Sequence, residues 1–300
     1  MSNIYWPVFR NLEKSVDDLA FSIHIDDTQM GVYSSRITDL ILRAAAEIES
    51  LSKDLYRANG GTKNGDVRFD DDAIKHLKNL WLLEDKKVVI SSPHCFQSNR
   101  VLMPFLKNEA RTSSAAGKLT YSWNNAYQNL KHDRGNSMKF GSIRYLFDIM
   151  AALFVLNVYH RNETIELGKD QAGLSFPNNL GSSLFSVELS ANPSHGPQGE
   201  FIRKSDFVSS IYYVDWTPQS GKVFQDSVDA FNKENIASFM KHPKLIDYLS
   251  NNDVSNYTGN LAWDVLGQDE YLRVVRQSMN RCPVVVEKLE YHALLNKNSV

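Results

Sequence analysis

Between residues 36 and 56, Ile37, Ile41, Ala44, Ile48, Leu51 and Leu55 recur at alternating spacings of four and three. Only an α-helix brings residues so spaced onto one side, so this stretch is a helix with a stripe that must be buried. Both ends are marked. Ser34 or Ser35 can accept a hydrogen bond from the first free backbone amides, and Asn59-Gly60-Gly61 tolerates the left-handed backbone that closes a helix. A shorter helix is expected after the acidic cluster Asp70-Asp71-Asp72, burying Ile74, Leu77 and Leu80 to Leu83. Three neighbouring carboxylates invite a metal reading, but carboxylates also stabilise the free amides and positive dipole of a helix start, which is the reading taken here. Trp123, Ala126, Tyr127 and Leu130 define a third apolar face, and Ile143, Leu146, Phe147, Met150, Leu153, Phe154 and Val158 a fourth. Four helices with short connections predict a bundle.

The remaining chain changes texture. Val88 to Phe96 is an apolar run stopped by Ser-Ser-Pro, and the basic, small-residue stretch from Lys107 to Lys118 reads as a loop. Gly, Pro, Ser and Asn crowd residues 168 to 200, short strand-like runs appear at Leu184–Leu189, Phe207–Val214 and Val284–Leu289, and Lys222–Asn232, Ile236–Leu249 and Leu261–Met279 read as helices. The expectation is a mainly α protein with two parts: a helical bundle over residues 1–167 and a smaller α+β domain over 168–300.

Composition narrows the function. In 300 residues, 33 Lys and Arg against 35 Asp and Glu give a net charge of −2, so any nucleic-acid binding must come from a local patch. The longest apolar run, Ile149 to Leu156, is about half of what spans a bilayer, and the first six residues do not read as a signal sequence. A cytoplasmic protein without membrane association is expected. Cys95 and Cys282 are far apart and match no zinc half-site, which fits a reducing compartment. No glycine-rich phosphate loop of the Walker or Rossmann kind is present, so no cofactor is expected.

The segment richest in chemistry is Trp123 to Arg134. At 100° per residue, Trp123, Ala126, Tyr127 and Leu130 turn inward, while Asn125, Asn129 and His132 share nearly the opposite side. A histidine facing away from its core, with Lys131 and Arg134 beside it, can act as general acid or base on a phosphodiester while the cations hold phosphate oxygens. Asn129 and Asn125 would orient the imidazole or a ribose, with Gln128 and Asp133 also able to touch substrate. The plainer reading is the wet end of a surface helix.

The helix Leu40 to Lys53, the Trp123–Arg134 segment and the apolar helix Tyr145 to Val158 together resemble the HEPN superfamily, four-helix bundle ribonucleases and RNA-binding proteins of prokaryotic toxin–antitoxin and phage-defence systems. The resemblance covers roughly residues 30 to 162. It implies metal-independent RNA cleavage, with a histidine and an arginine from each of two protomers meeting across a dimer interface. The family signature places Arg before His with four to six residues between; before His132 those positions hold Tyr127, Ala126 and Asn125, and no other histidine in the chain has it. Arg134 is the proposed replacement. The partners expected are RNA, a second copy of the chain, and an antitoxin or other defence-system protein. The rival expectation is a catalytically silent bundle that binds a partner protein or ligand; a third is a companion or target of a nucleotidyl-transfer enzyme.

Other candidates carry less. His160-Arg161 ends the strongest apolar helix, where cations complement the dipole. His94-Cys95 is a conceivable dyad, Asn192 to Pro197 a turn, and Glu290 with His292 two residues on one face of a strand, too few for a metal site.

Overall fold

A computed structural model describes residues 4–91, 96–112, 117–196 and 198–299. The protein is mainly α. Helix α1 is Tyr5–Leu19 and α2 is Ser35–Ala58; after a π-helical turn at Phe69–Ile74 comes α3, Lys75–Trp81. Strands β1 (Val88–Ile90), β2 (Val101–Leu102), β3 (Glu109–Ala110) and β4 (Leu119–Thr120) lead to α4 (Ser122–His132) and α5 (Ile143–Arg161). Then follow β5 (Ile165–Gly168), β6 (Phe185–Val187), β7 (Leu189–Ser190), β8 (Ser194–His195), β9 (Phe201–Ile202) and β10 (Tyr212–Trp216). The chain continues with α6 (Pro218–Met240), α7 (Pro243–Asn251), α8 (Leu261–Leu266), α9 (Gln268–Arg281) and β11 (Tyr291–Leu295).

Helix α2 forms where its periodicity puts it. Ser34 Oγ accepts from Ile37 N at 3.1 Å, and the helix stops where Gly60 takes φ +85°. The acidic cluster also serves a helix start, in an unusual way: Asp72 reaches back to accept from Arg68 N at 2.8 Å, across a first turn that is π-helical. Packing is organised around α5, which lies against α1, α2 and α4. Among the described residues it is the one helix long and apolar enough to cross a bilayer, yet 78% of that stretch is buried inside the protein, as befits the central helix of a core.

Two sheets close onto these helices. One has the order β2-β1-β6, antiparallel throughout; the other is β5-β11-β10-β7, antiparallel except for the parallel β10–β7 pair. Their inward residues, among them Ile90, Phe185, Tyr212, Val214 and Ala293, join the same core as α2 and α5. The 167/168 junction drawn from composition falls inside β5. A second, small cluster of Phe239, Leu245, Leu266 and Val274 holds α6 to α9 together.

The structure corrects several local expectations. Helix α1 is a further helix, packed against α2 and α5. The Lys107–Lys118 stretch carries strand β3, paired antiparallel with β4 just beyond it, with Glu109 opposite Thr120. The strand expected at Val284–Leu289 is a 3-10 turn at Val286–Lys288, the run having no strand beside it among the described residues; the ladder is made instead by Tyr291–Leu295 against β10 and β5. The Phe207–Val214 run enters its strand only at Tyr212. The helix expected over Ile236–Leu249 breaks before Pro243, which has no amide to donate, and Leu261–Met279 breaks at Gly267, with φ +73°.

Candidate functional site

Helix α4 presents the face read from its sequence. Trp123, Ala126, Tyr127 and Leu130 are buried, and Trp123 Nε1 donates to Pro104 O at 2.8 Å. At the far end Lys131, His132, Asp133 and Arg134 are all exposed. The side chains of His132 and Arg134 make no hydrogen bond or ion pair with any described residue. Arg134 opens a tight turn, closed by Ser137 N donating to Arg134 O at 3.3 Å, which keeps it beside the helix end.

The neighbouring groups are already engaged. Lys131 Nζ donates to Tyr127 Oη at 3.1 Å and lies 5.1 Å from that ring; the hydrogen bond to the phenol raises the lysine's pKa. Tyr127 Oη donates to Glu49 at 2.9 Å. Asp133 accepts from Asn136 Nδ2 at 3.0 and 3.3 Å, and Gln128 Nε2 reaches Asn124 Oδ1 at 3.4 Å.

Asn125 lies on the same side of the helix as His132 but faces protein. It is buried beneath the strand β3 side of the hairpin; its amide donates to Glu109 Oε1 at 2.7 Å and Thr112 Oγ1 at 3.1 Å, and its oxygen accepts from Thr112 N at 3.1 Å. Asn129 Nδ2 donates to Asn125 O at 2.8 Å and Oδ1 at 3.2 Å. Asn125 thus positions Asn129, and Asn129 is the amide nearer the exposed end.

A second polar group went unread in the sequence. Glu109 collects Asn125, Tyr145 Oη at 3.0 Å and Arg144 at 3.4 Å; burial, then the Glu109 charge, pushes the Tyr145 phenol up to about 12. Asp148, one helical turn after Arg144, accepts from Ser122 Oγ, and burial raises its pKa against the effect of that bond. The signal was available: Asp148 is the lone carboxylate of α5, set between Phe147 and Ile149. Two adjoining clefts, of about 570 and 420 Å³, flank Arg144.

The remaining histidines are accounted for differently. His160 sets its ring edge-on to Tyr5 at 5.3 Å, burial lowers its pKa, and Nδ1 is buried without a hydrogen-bond partner among the described residues. Arg161 lies over Trp6 at 4.2 Å and donates to Leu180 O at 2.8 Å, while Asn162 closes α5 in the left-handed conformation. His195 is bonded to Asp215 at 2.9 Å and stacked on Trp216 at 3.5 Å. His94 and Cys95 lie outside the described residues, as does Pro197. Among the described residues no group of three or more His, Cys, Asp or Glu side chains is placed to hold a metal ion. No family model, curated protein or solved structure matches this chain.

Proposed function

We propose that the chain is an RNA-binding effector on a HEPN-like bundle, cutting RNA without a metal at the His132–Arg134 end of α4, in a bacterial defence or toxin–antitoxin setting. The observation that carries the reading is the pairing of two exposed, unengaged groups, an imidazole and a guanidinium, at one helix end. An imidazole titrates near neutrality and so can both take and give a proton under cellular conditions. In the step envisaged, one His132 removes the proton of a 2′-hydroxyl, whose oxygen bonds to the adjacent phosphorus. The 5′-oxygen leaves with a proton from a second His132, giving a 2′,3′-cyclic phosphate and a 5′-hydroxyl. Since one imidazole cannot be base and acid at once, the second belongs to another copy of the chain across a two-fold axis. Arg134 offsets the charge on the phosphoryl oxygens, Lys131 holds the flanking phosphate, and Asn129, fixed by Asn125, orients the ribose.

A second reading has its own support. The His132 ring has no hydrogen-bond partner among the described residues to fix its tautomer, a device catalytic histidines commonly use, and this favours a bundle that holds RNA or a partner protein without cutting. Cleavage of total cellular RNA in EDTA separates the two. The catalytic reading expects cutting by the wild type and a loss of about a hundredfold or more in His132→Ala and Arg134→Ala, with both variants folded. Equal cutting by His132→Ala removes this site; RNA binding without cutting by the wild type leaves the silent bundle.

A further inference from the structure

The 420 Å³ cleft lies between β2, the start of α4 and the first turns of α5, and both Arg144 and Asp148 line it. These two residues are four apart on one helix face, with Cβ atoms about 5–6 Å from each other, the spacing at which opposite charges ordinarily pair. Here they do not. Arg144 reaches Glu109 at 3.4 Å and lies 5.4 Å from the Tyr145 ring, with its side chain 51% exposed, and Asp148 turns one oxygen to Ser122 while the other meets no donor among the described residues. A guanidinium and a carboxyl with one open oxygen thus face one cavity with no ion pair between them.

The surrounding wall is already built. Asp27 spends its carboxylate on the backbone amides of Gln97, Ser98 and Asn99, at 2.7 to 3.0 Å, which holds its pKa down to about 2 and fixes the loop opposite. It is therefore not available to a ligand. Met30, Val101, Leu102 and Met103 supply an apolar side. The volume is in the range of small-molecule sites.

We propose that this cleft binds a small zwitterion, an α-amino acid with an apolar side chain: its carboxylate on Arg144, its ammonium on the open oxygen of Asp148, its side chain against Val101 and the methionines. A ligand with an ammonium alone would leave Arg144 to Glu109 and solvent, and one with a carboxylate alone would leave the open oxygen of Asp148 without a donor, so the zwitterion gains at both ends. The inference stands apart from the RNA reading and survives its failure.

Calorimetric titration of the full chain with L-leucine and L-methionine, beside isoamylamine and 4-methylpentanoate as the two half-ligands of leucine, tests it. Saturable binding of an amino acid is expected, with each half-ligand weaker by about tenfold or more. Arg144→Gln, at the rim and outside the core, should weaken the amino acid by a similar factor; Asp148→Asn should do the same if it folds. Absence of amino-acid binding, equal binding of either half-ligand, or undiminished binding by Arg144→Gln overturns the proposal.

Discussion

Glu13 shows at the scale of one residue how the fold handles a charge it has buried. Its side chain on α1 is 1% exposed, and it accepts from Arg10, from Ser182 Oγ and from Leu184 N, tying the helix to the turn before β6. Burial still prevails over these bonds and raises its pKa. A carboxyl whose folded pKa is raised favours folding fully below its unfolded pKa, about 4, and loses that contribution as pH climbs through the folded value. Glu13→Gln should therefore gain on the wild type as pH rises from about 4 toward neutrality, followed as the difference in Tm across that range. A difference that stays constant with pH would show that Glu13 does not titrate in folding. The α4 site was half legible at this scale. Helical angles alone turn His132 outward and Trp123 inward, as the structure has them. They cannot say that Asn125 is covered, because its cover is the β3 segment 109–112, brought over it by tertiary packing.

Among the elements, those specified locally are the ones sequence reading recovers. The α2 stripe and its Ser34 cap lie within one stretch of chain and need no partner to be recognised. Ser34→Ala removes the acceptor for Ile37 N and should cost about 1 kcal/mol, measured by urea denaturation with unchanged m-value. No loss would mean that water replaces the cap. Helix α1 has the same alternation in Tyr5, Phe9, Leu12, Val16 and Leu19, but Pro7 and the buried Glu13 break up the pattern. Pro7 is tolerable because it sits in the first turn, where its missing amide would be unpaired anyway. Strand β11 is the opposite case. Its selection over the more β-branched Val284–Val286 run depends on β5 and β10, both distant in sequence.

On the scale of the whole molecule, a buried chain of polar contacts fastens the helices to the late strands. Tyr159 on α5 donates to Asn296 O at 2.7 Å, Asn296 Nδ2 donates to Ser210 O at 3.1 Å, and Lys86 Nζ donates to Val208 O and Ser210 O at 2.9 and 3.0 Å. Burial brings the Lys86 ammonium down to about 8, so the two carbonyls hold a cation that the surroundings disfavour. Helix α6 keeps a foothold there, Ser220 Oγ accepting from Glu290 N at 2.6 Å and Phe224 packing on the main core, while α7 to α9 hold to α6 and to one another through the small cluster and the His242–Glu270 and Arg281–Glu234 contacts. Amide hydrogen exchange should accordingly find α7 to α9 opening at a distinctly lower free energy than α2 and α5; uniform protection would make the whole chain one cooperative unit. The four-stranded sheet has a kinetic consequence as well. Ile165 pairs with Ala293 across more than a hundred intervening residues, and contacts so remote are slow to form because the loop-closure entropy is spent before the ladder repays it. Until that closure the oily flank of α5 stays open to solvent and to other unfinished chains, so during refolding the race is between a slow search by two short strands and aggregation, and it turns on concentration.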